Sequence, residues 1–439
     1  MKKLIKYTLV GIAALGLYGC EDQLDRYPKD KLTPDKFFRN EQECQLYTND
    51  FYTIFPTTVY GESADVIAKN VLTSEVLGNR TVPATASTWK WEKLRDINFF
   101  LQYSSNCKDR DVRLQYEGLA RFFRAYFYFE KVKYYGDVPW VDRPLASNEE
   151  ELYKGRDSRD LVMSKVIEDL DFAIEHLSPT KETYRVSEWT ALALKSRVCL
   201  FEGTYRKYHQ VDPSTGEAWV DKLASERFLR ECVKACEELM TAGIYTLVNN
   251  PAQVKTQYRE LFTQEAVNTT EVIWARQMSV GMTTFHDLTW RYTSGSYGQR
   301  WSLDQDFVKT YLNLDGSRHT ATGEEFTTEI ENRDYRLSQS IITPGYTKLI
   351  GGVSTPTAPD FTVTLTGYQI IKFNIDDKAY ESAKVSYNSL PIMRYAEVLL
   401  NYAEAKAELG EFSDDIWNKT IKPLRERAGV DGKRPTSAD

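Results

Sequence analysis

Histidine is scarce in this 439-residue chain; His176, His209, His286 and His319 are all it has. None stands in H-E-x-x-H or another metal-ligand spacing, which removes the common zinc-hydrolase reading. No G-x-S-x-G elbow and no phosphate-cradling glycine loop occurs, so neither nucleophilic nor nucleotide chemistry is signalled. Positive charge is also short: Lys and Arg total 56 against 63 Asp and Glu, a net −7. That excludes a general nucleic-acid binder. Cysteine numbers six, one of them at position 20; the remaining five are odd in number and irregular in spacing, so no disulfide framework follows. Cys232 and Cys236, four apart on a predicted helix, read as two half-buried thiols. Beyond the N-terminus no apolar run approaches the ~20 residues of a membrane span. Paired carboxylates for glycoside hydrolysis are available among the many Asp and Glu, but no pair is singled out.

The N-terminus carries an address. Lys2, Lys3 and Lys6 precede a short apolar run, residues 7–18, too short for a comfortable span and suited to a signal peptide. Residues 17–20, LYGC, resemble a bacterial lipoprotein box, which implies cleavage after residue 19 and lipidation of Cys20. The alternative is an ordinary secretory signal with an incidental cysteine. Glu21, Asp22 and Asp25 follow at once and resemble the surface-export signal of Bacteroidetes lipoproteins. Loss of residues 1–19 removes three lysines and no acid, taking the net charge from −7 to about −10.

What is plentiful is aromatic surface: Phe, Trp and Tyr make 13% of the chain, and Tyr alone numbers 28. The densest stretch is 118–141, GLARFFRAYFYFEKVKYYGDVPWV. Leu119, Phe122, Tyr126 and Phe129 share one helical face, and Phe123 and Phe127 a second. Charge survives only in a strip at Arg121, Arg124 and Lys131. A helix apolar on two sides is sandwiched between neighbours, so these rings are expected in the core.

Other segments repeat the helical period. Residues 394–409 carry a polar stripe of Arg394, Glu397, Asn401, Glu404 and Glu408 opposite an apolar one, closed by Gly410. Residues 158–177 begin at a capping Ser158. A helix capped by Ser187 is expected to end at Gly203, and another over 224–241 at Gly243. The character is that of tetratricopeptide-like helix pairs, without a strict period. Residues 250–390 differ: they are rich in Thr, Gly and short mixed runs, with loop signals at Gly345, Gly351-Gly352 and 354–360. The predicted architecture is mainly α. Helix pairs over about 35–245 and 391–430 form a scaffold, and an irregular, loop-rich lobe over about 250–390 carries the ligand site.

Four stretches, in order, resemble the SusD/RagB family of Bacteroidetes outer-membrane lipoproteins. They are Ala120-Arg121-Phe122 with Arg124, Ala125, Tyr126, Tyr128 and Phe129, then YGDVP at 135–139; ALALKSRV at 191–198 with Gly203; NRDYR at 332–336, with Tyr335 where the family has Pro; and PIMRYAEVLLNYAEA at 391–405. The resemblance implies one SusD-like domain over 20–439, lacking the family's C-terminal helical segment past Arg427-Ala428-Gly429. It implies a cell-surface protein, lipid-anchored in the outer membrane, that captures oligosaccharides for a SusC-like TonB-dependent transporter. It implies no enzyme activity and no cofactor. Peptide or other nutrient capture on the same scaffold, or less favoured a surface hydrolase, is the alternative.

Sugar faces are apolar and sugar hydroxyls polar, so a glycan site needs exposed flat rings among hydrogen-bonding side chains. Two segments qualify. In 285–301, FHDLTWRYTSGSYGQRW, no helical stripe accounts for Trp290, Tyr292, Tyr297 and Trp301, and these are candidate ligand contacts; Trp301 begins a stretch resembling a family scaffold helix. In 78–91, GNRTVPATASTWKW, Asn79 and Arg80 could bond hydroxyls and Trp89 could stack. The family places ligand contacts in about this region.

Overall fold

The structure, a computed structural model, describes residues 37–55, 66–81, 88–219, 224–323 and 325–436. The expected leader and the lipidation site Cys20 lie outside these residues. The helices are α1 (Glu41–Thr48), α2 (Glu92–Tyr103), α3 (Arg110–Tyr135), α4 (Arg159–His176), α5 (Glu188–Tyr208), α6 (Ala224–Ala242), α7 (Gln257–Thr263), α8 (Leu288–Thr293), α9 (Gln305–Lys309), α10 (Phe326–Glu329), α11 (Tyr335–Ser338), α12 (Tyr395–Glu408), α13 (Asp414–Lys419) and α14 (Ile421–Arg427). The strands are short and pair two by two: β1 (Ile67–Ala68) with β3 (Ser302–Leu303), β2 (Val272–Arg276) with β6 (Leu390–Arg394), and β4 (Thr347–Ile350) with β5 (Val353–Pro356). The protein is mainly helical, as the periodicity predicts. Among the described residues no helix is long and apolar enough to cross a membrane.

The aromatic stretch is the heart of α3. Asp109 caps its start by accepting from the backbone N–H of Asp111 and Val112, and Gly136 ends it at φ 68°. Phe122, Phe123, Tyr126, Phe127, Tyr128 and Phe129 are all buried in one large core shared with α1, α2, α4, α5 and α6. Of the charged strip, Arg124 and Lys131 are buried too and Arg121 is half-buried. Arg124 forms a two-pronged pair with Asp169 of α4, both bonds 2.7 Å, and Lys131 donates to the Thr88 carbonyl. A guanidinium survives burial here because its fork meets a carboxylate of matching geometry.

Consecutive helices pack as pairs, α3 on α4 and α5 on α6, with α12 laid against α5 and α6. Ser158 caps α4, Ser187 opens α5 through a reciprocal box with Thr190, and Gly243 and Gly410 follow α6 and α12 in the left-handed region, as expected. Gly203 departs from expectation. It does not end α5, which continues to Tyr208; it sits mid-helix where a Cβ would come within 2.8 Å of the Leu229 side chain on α6. The missing side chain serves close helix approach rather than termination. Cys232 and Cys236 are wholly buried, not half-buried, because α12 covers that face of α6.

Residues from α7 to β6 hold a second core, built from Leu261, Phe262, Leu288, Tyr292, Trp301, Val308, Tyr368 and Phe373 among others. Gly351 and Gly352 make the β4–β5 hairpin turn at φ 58° and 82°, a two-residue turn that needs positive φ at both positions. Strands β2 and β6 run between the two cores, with Trp274 and Met393 in the first and Leu390 in the second, and a buried carboxylate stands beside them. Glu271, fully buried before β2, meets Arg394 of β6 at 2.7 Å and Arg427 of α14 at 2.6 Å, and accepts from the Val248 backbone N–H.

Candidate functional site

Helix α8 and the turn after it present the most exposed aromatic surface among the predicted site residues. In six residues of helix, positions 288 and 292 fall on one side and 290 about 200° away from each. Leu288 and Tyr292 therefore enter the lobe core while Trp290 stays half-exposed. His286 fixes the start of α8: its Nδ1 accepts from the Leu288 N–H, and its Nε2–H points to the Asn388 carbonyl at 2.9 Å. Burial holds this imidazole down to about 4, so it stays neutral.

The turn then folds back on α8. Tyr297 and Gly298 bond to Ser294, and Trp301 N–H bonds to the Gly298 carbonyl. Gly298 is forced: a Cβ there would lie 1.7 Å from the Arg291 carbonyl oxygen. Gln299 and Arg300 follow at φ 52° and 56°, two successive side-chain-bearing residues in the left-handed region. Each costs about 1–3 kcal/mol and persists only when its surroundings over-determine it. Here they do. The Asn70 N–H bonds to the Gln299 carbonyl at 2.8 Å, and the Arg300 guanidinium donates to the carbonyls of Phe361 and Thr364.

The result is a fixed aromatic pair. Trp290 and Tyr297 have ring centroids 4.3 Å apart, with Tyr297 66% exposed. The loop over 360–364 is seated against Gly295, where a Cβ would meet the Thr362 carbonyl at 2.3 Å, and it carries Phe361, 65% exposed. Asp360 organises that loop by accepting from the Thr362 N–H and hydroxyl, bonds that hold its carboxyl below the usual range. Sequence reasoning missed Phe361; the available signal was a lone aromatic in a Thr- and Pro-rich loop.

Two predicted contacts are corrected. Tyr292 is 1% exposed and Trp301 3%, and the two rings pack on one another in the lobe core at 5.9 Å. Residues 285–301 were expected as a loop; α8 gives them a buried side, and Tyr292 lies on it. Trp301 leads into β3 and is core, with Lys69 5.9 Å from its ring centre.

The other segment divides. Strand β1 pairs with β3, so residues 66–70 lie directly against 299–303. From there a turn over 73–79 leaves Asn79 and Arg80 exposed, with Arg80 3.7 Å from Glu75. No hydrogen bond or ion pair joins either to Trp290 or Tyr297 among the described residues. Trp89 sits elsewhere: it packs edge-on against Trp91 and Tyr135, with Arg156 5.4 Å from its ring centre, on the end of α3. It is half-buried, and no ring contact among the described residues joins it to Trp290 or Tyr297. Among the described residues no cluster of His, Cys, Asp and Glu could hold a metal ion.

Known proteins resemble both halves of the chain. The SusD family profile matches residues 270–439, and a profile described as starch-binding associating with outer membrane matches 37–200. SusD-like protein P25 of Formosa agariphila is 21% identical over 320 residues, 66% of this chain; the match spans only 54% of P25, about half its length. SusD-like protein P38 of the same organism is 20% identical, with 97% of this chain and 82% of P38 covered. A SusD-like protein of Bacteroides fragilis superposes with a TM-score of 0.71 at 21% identity, covering 94% of this chain and 83% of that one. A SusD-like carbohydrate-binding protein of the same species gives 0.69 at 20% identity, covering 92% and 81%.

Proposed function

We propose that this chain, which belongs to the SusD/RagB family, is a carbohydrate-binding protein of the outer membrane that holds a glycan against the Trp290–Tyr297 pair. The observation that carries the reading is that pair: two rings in contact, one of them two-thirds exposed, on a turn held by forced glycine and left-handed backbone. A rigid aromatic face loses little conformational entropy when a sugar ring stacks on it. Phe361 would widen the platform, and Asn79 and Arg80, exposed on the turn after β1, would supply donors for hydroxyls. The work is capture, without bond-breaking.

The finer parts of the proposal rest on sequence and family. Lipidation at Cys20 would anchor the protein, facing outward, and a SusC-like TonB-dependent transporter would receive the oligosaccharide. The named relative described as carbohydrate-binding supports the ligand class.

The test is a glycan-array screen of the purified chain, followed by titration of the best ligand against Trp290→Ala, Tyr297→Ala and the double variant. Retention of one glycan class without turnover, lost in the double variant, is the expected result. Binding that survives the double variant, or hydrolysis of a labelled oligosaccharide, would overturn the reading. Co-purification of a transporter with the membrane-extracted protein tests the partner.

A further inference from the structure

Away from the aromatic platform, a cleft of about 290 Å³ opens between the 3₁₀ turn Asn49–Ile54, the loop over 183–186 and strand β2. We infer that it is a second binding site, for a carboxylate-bearing sugar residue such as a uronic acid. The inference does not depend on the platform being a glycan site.

The charge pattern comes first. Arg185 and Arg276 both line the cleft, and both bond only to neutral acceptors: Arg185 to the Asn49 side-chain oxygen at 3.3 Å, Arg276 to the Phe55 carbonyl at 3.2 Å. Each uses one terminal nitrogen, leaving the rest of its fork without a hydrogen-bond partner among the described residues, and Arg185 lies 5.6 Å from the Tyr52 ring centre. Arg124, Arg159, Arg197 and Arg259 pair with acids, while Arg300 turns its guanidinium on two carbonyls at once; among the described residues neither arginine of the cleft has an acid or a second carbonyl. In a chain where acids outnumber bases, 63 to 56, two arginines left to neutral acceptors around one cavity are a standing invitation to an anion.

The walls come second. Trp274 and Tyr52 line the cavity. The Tyr52 hydroxyl accepts from the Val186 N–H at 3.0 Å, which fixes the ring at the cleft and leaves its O–H free to donate. Trp274, 2% exposed, closes the floor of the cleft rather than offering a stacking face, and among the described residues its indole N–H has no hydrogen-bond partner, an uncommon state for that donor. One accessible aromatic ring beside a guanidinium pair matches a ligand having an apolar ring face and a carboxylate. The volume sits at the low end for ligand pockets, sized for one sugar residue rather than a chain.

The test titrates the purified chain with D-glucuronate, D-galacturonate, D-glucose and acetate, by calorimetry and ligand-observed NMR. A uronate binding at least about ten-fold more tightly than glucose and acetate is expected, with the affinity falling about ten-fold in Arg185→Gln and again in Arg276→Gln. Arg276→Lys keeps the charge without the fork and should fall between; circular dichroism verifies folding of each variant. Trp290→Ala/Tyr297→Ala should leave uronate binding intact. Uronate binding no tighter than glucose overturns the proposal, as does binding insensitive to both glutamine variants or abolished by the Trp290/Tyr297 pair. Acetate binding as tightly as the uronates overturns the sugar assignment.

Discussion

Tyr297 leans over Trp290 with ring centroids 4.3 Å apart and planes tilted by 36°, although the two residues belong to different pieces of backbone, a helix and the turn that doubles back on it. Their contact makes a surface that neither segment could present alone. It also makes each ring's contribution measurable.

Removing the third ring should weaken binding without abolishing it. Phe361→Ala is expected to cost about 1 kcal/mol, a factor of about five in Kd, for a glycan long enough to reach it, and nothing for a short one. Calorimetry across an oligosaccharide length series checks this.

Gly298→Ala should do more harm than any single aromatic deletion. Backbone would have to move, since the obstacle to a Cβ is the Arg291 carbonyl rather than a side chain. Loss of about 2–4 kcal/mol of stability, together with loss of ligand binding, is expected from chemical denaturation and titration. A variant of wild-type stability would show the turn to be pliable.

His286 makes stability depend on pH. Its ring titrates near 4 in the folded chain against an ordinary value of 6.5. Between those values the unfolded chain binds the proton and the folded chain does not. Stability from this group is therefore whole above about pH 6.5 and is lost as pH falls toward 4, by up to about 3 kcal/mol. Denaturation midpoints from pH 7 to 4.5 should fall less steeply in His286→Gln than in the parent.

The pair Arg124–Asp169 offers a non-additive test. Asp169→Ala strands a buried guanidinium and should cost about 3–5 kcal/mol. Arg124→Met/Asp169→Leu removes both charges and should recover much of that loss. Urea midpoints of the single and double variants decide it.

The scaffold was legible because its signals are local and periodic. The rings of α3 cover two helical faces, and Ser158, Ser187, Gly243 and Gly410 mark ends by their own chemistry. Gly203 misled because a glycine needed for contact with Leu229, in another helix, looks the same in sequence as one that ends a helix. The platform was half legible. Trp290 and Tyr297 stood out as aromatics among turn residues, but so did Tyr292, and only the short helix α8 separates outward from inward. Phe361 lies 64 residues from Tyr297 in sequence, and the bond from Arg300 that brings its loop alongside leaves no mark in the local pattern.

Glu271 bears on the order in which the molecule is completed. Its carboxylate stands between Arg394 and Arg427, the second of them 156 residues downstream. As the chain emerges from synthesis, residues 250–390 are all present well before Arg427 is. Until it arrives, this buried acid has only Arg394 as its counter-charge. A chain cut short before α14 would hold Glu271 with Arg394 alone, and limited proteolysis should cut it faster than the whole protein.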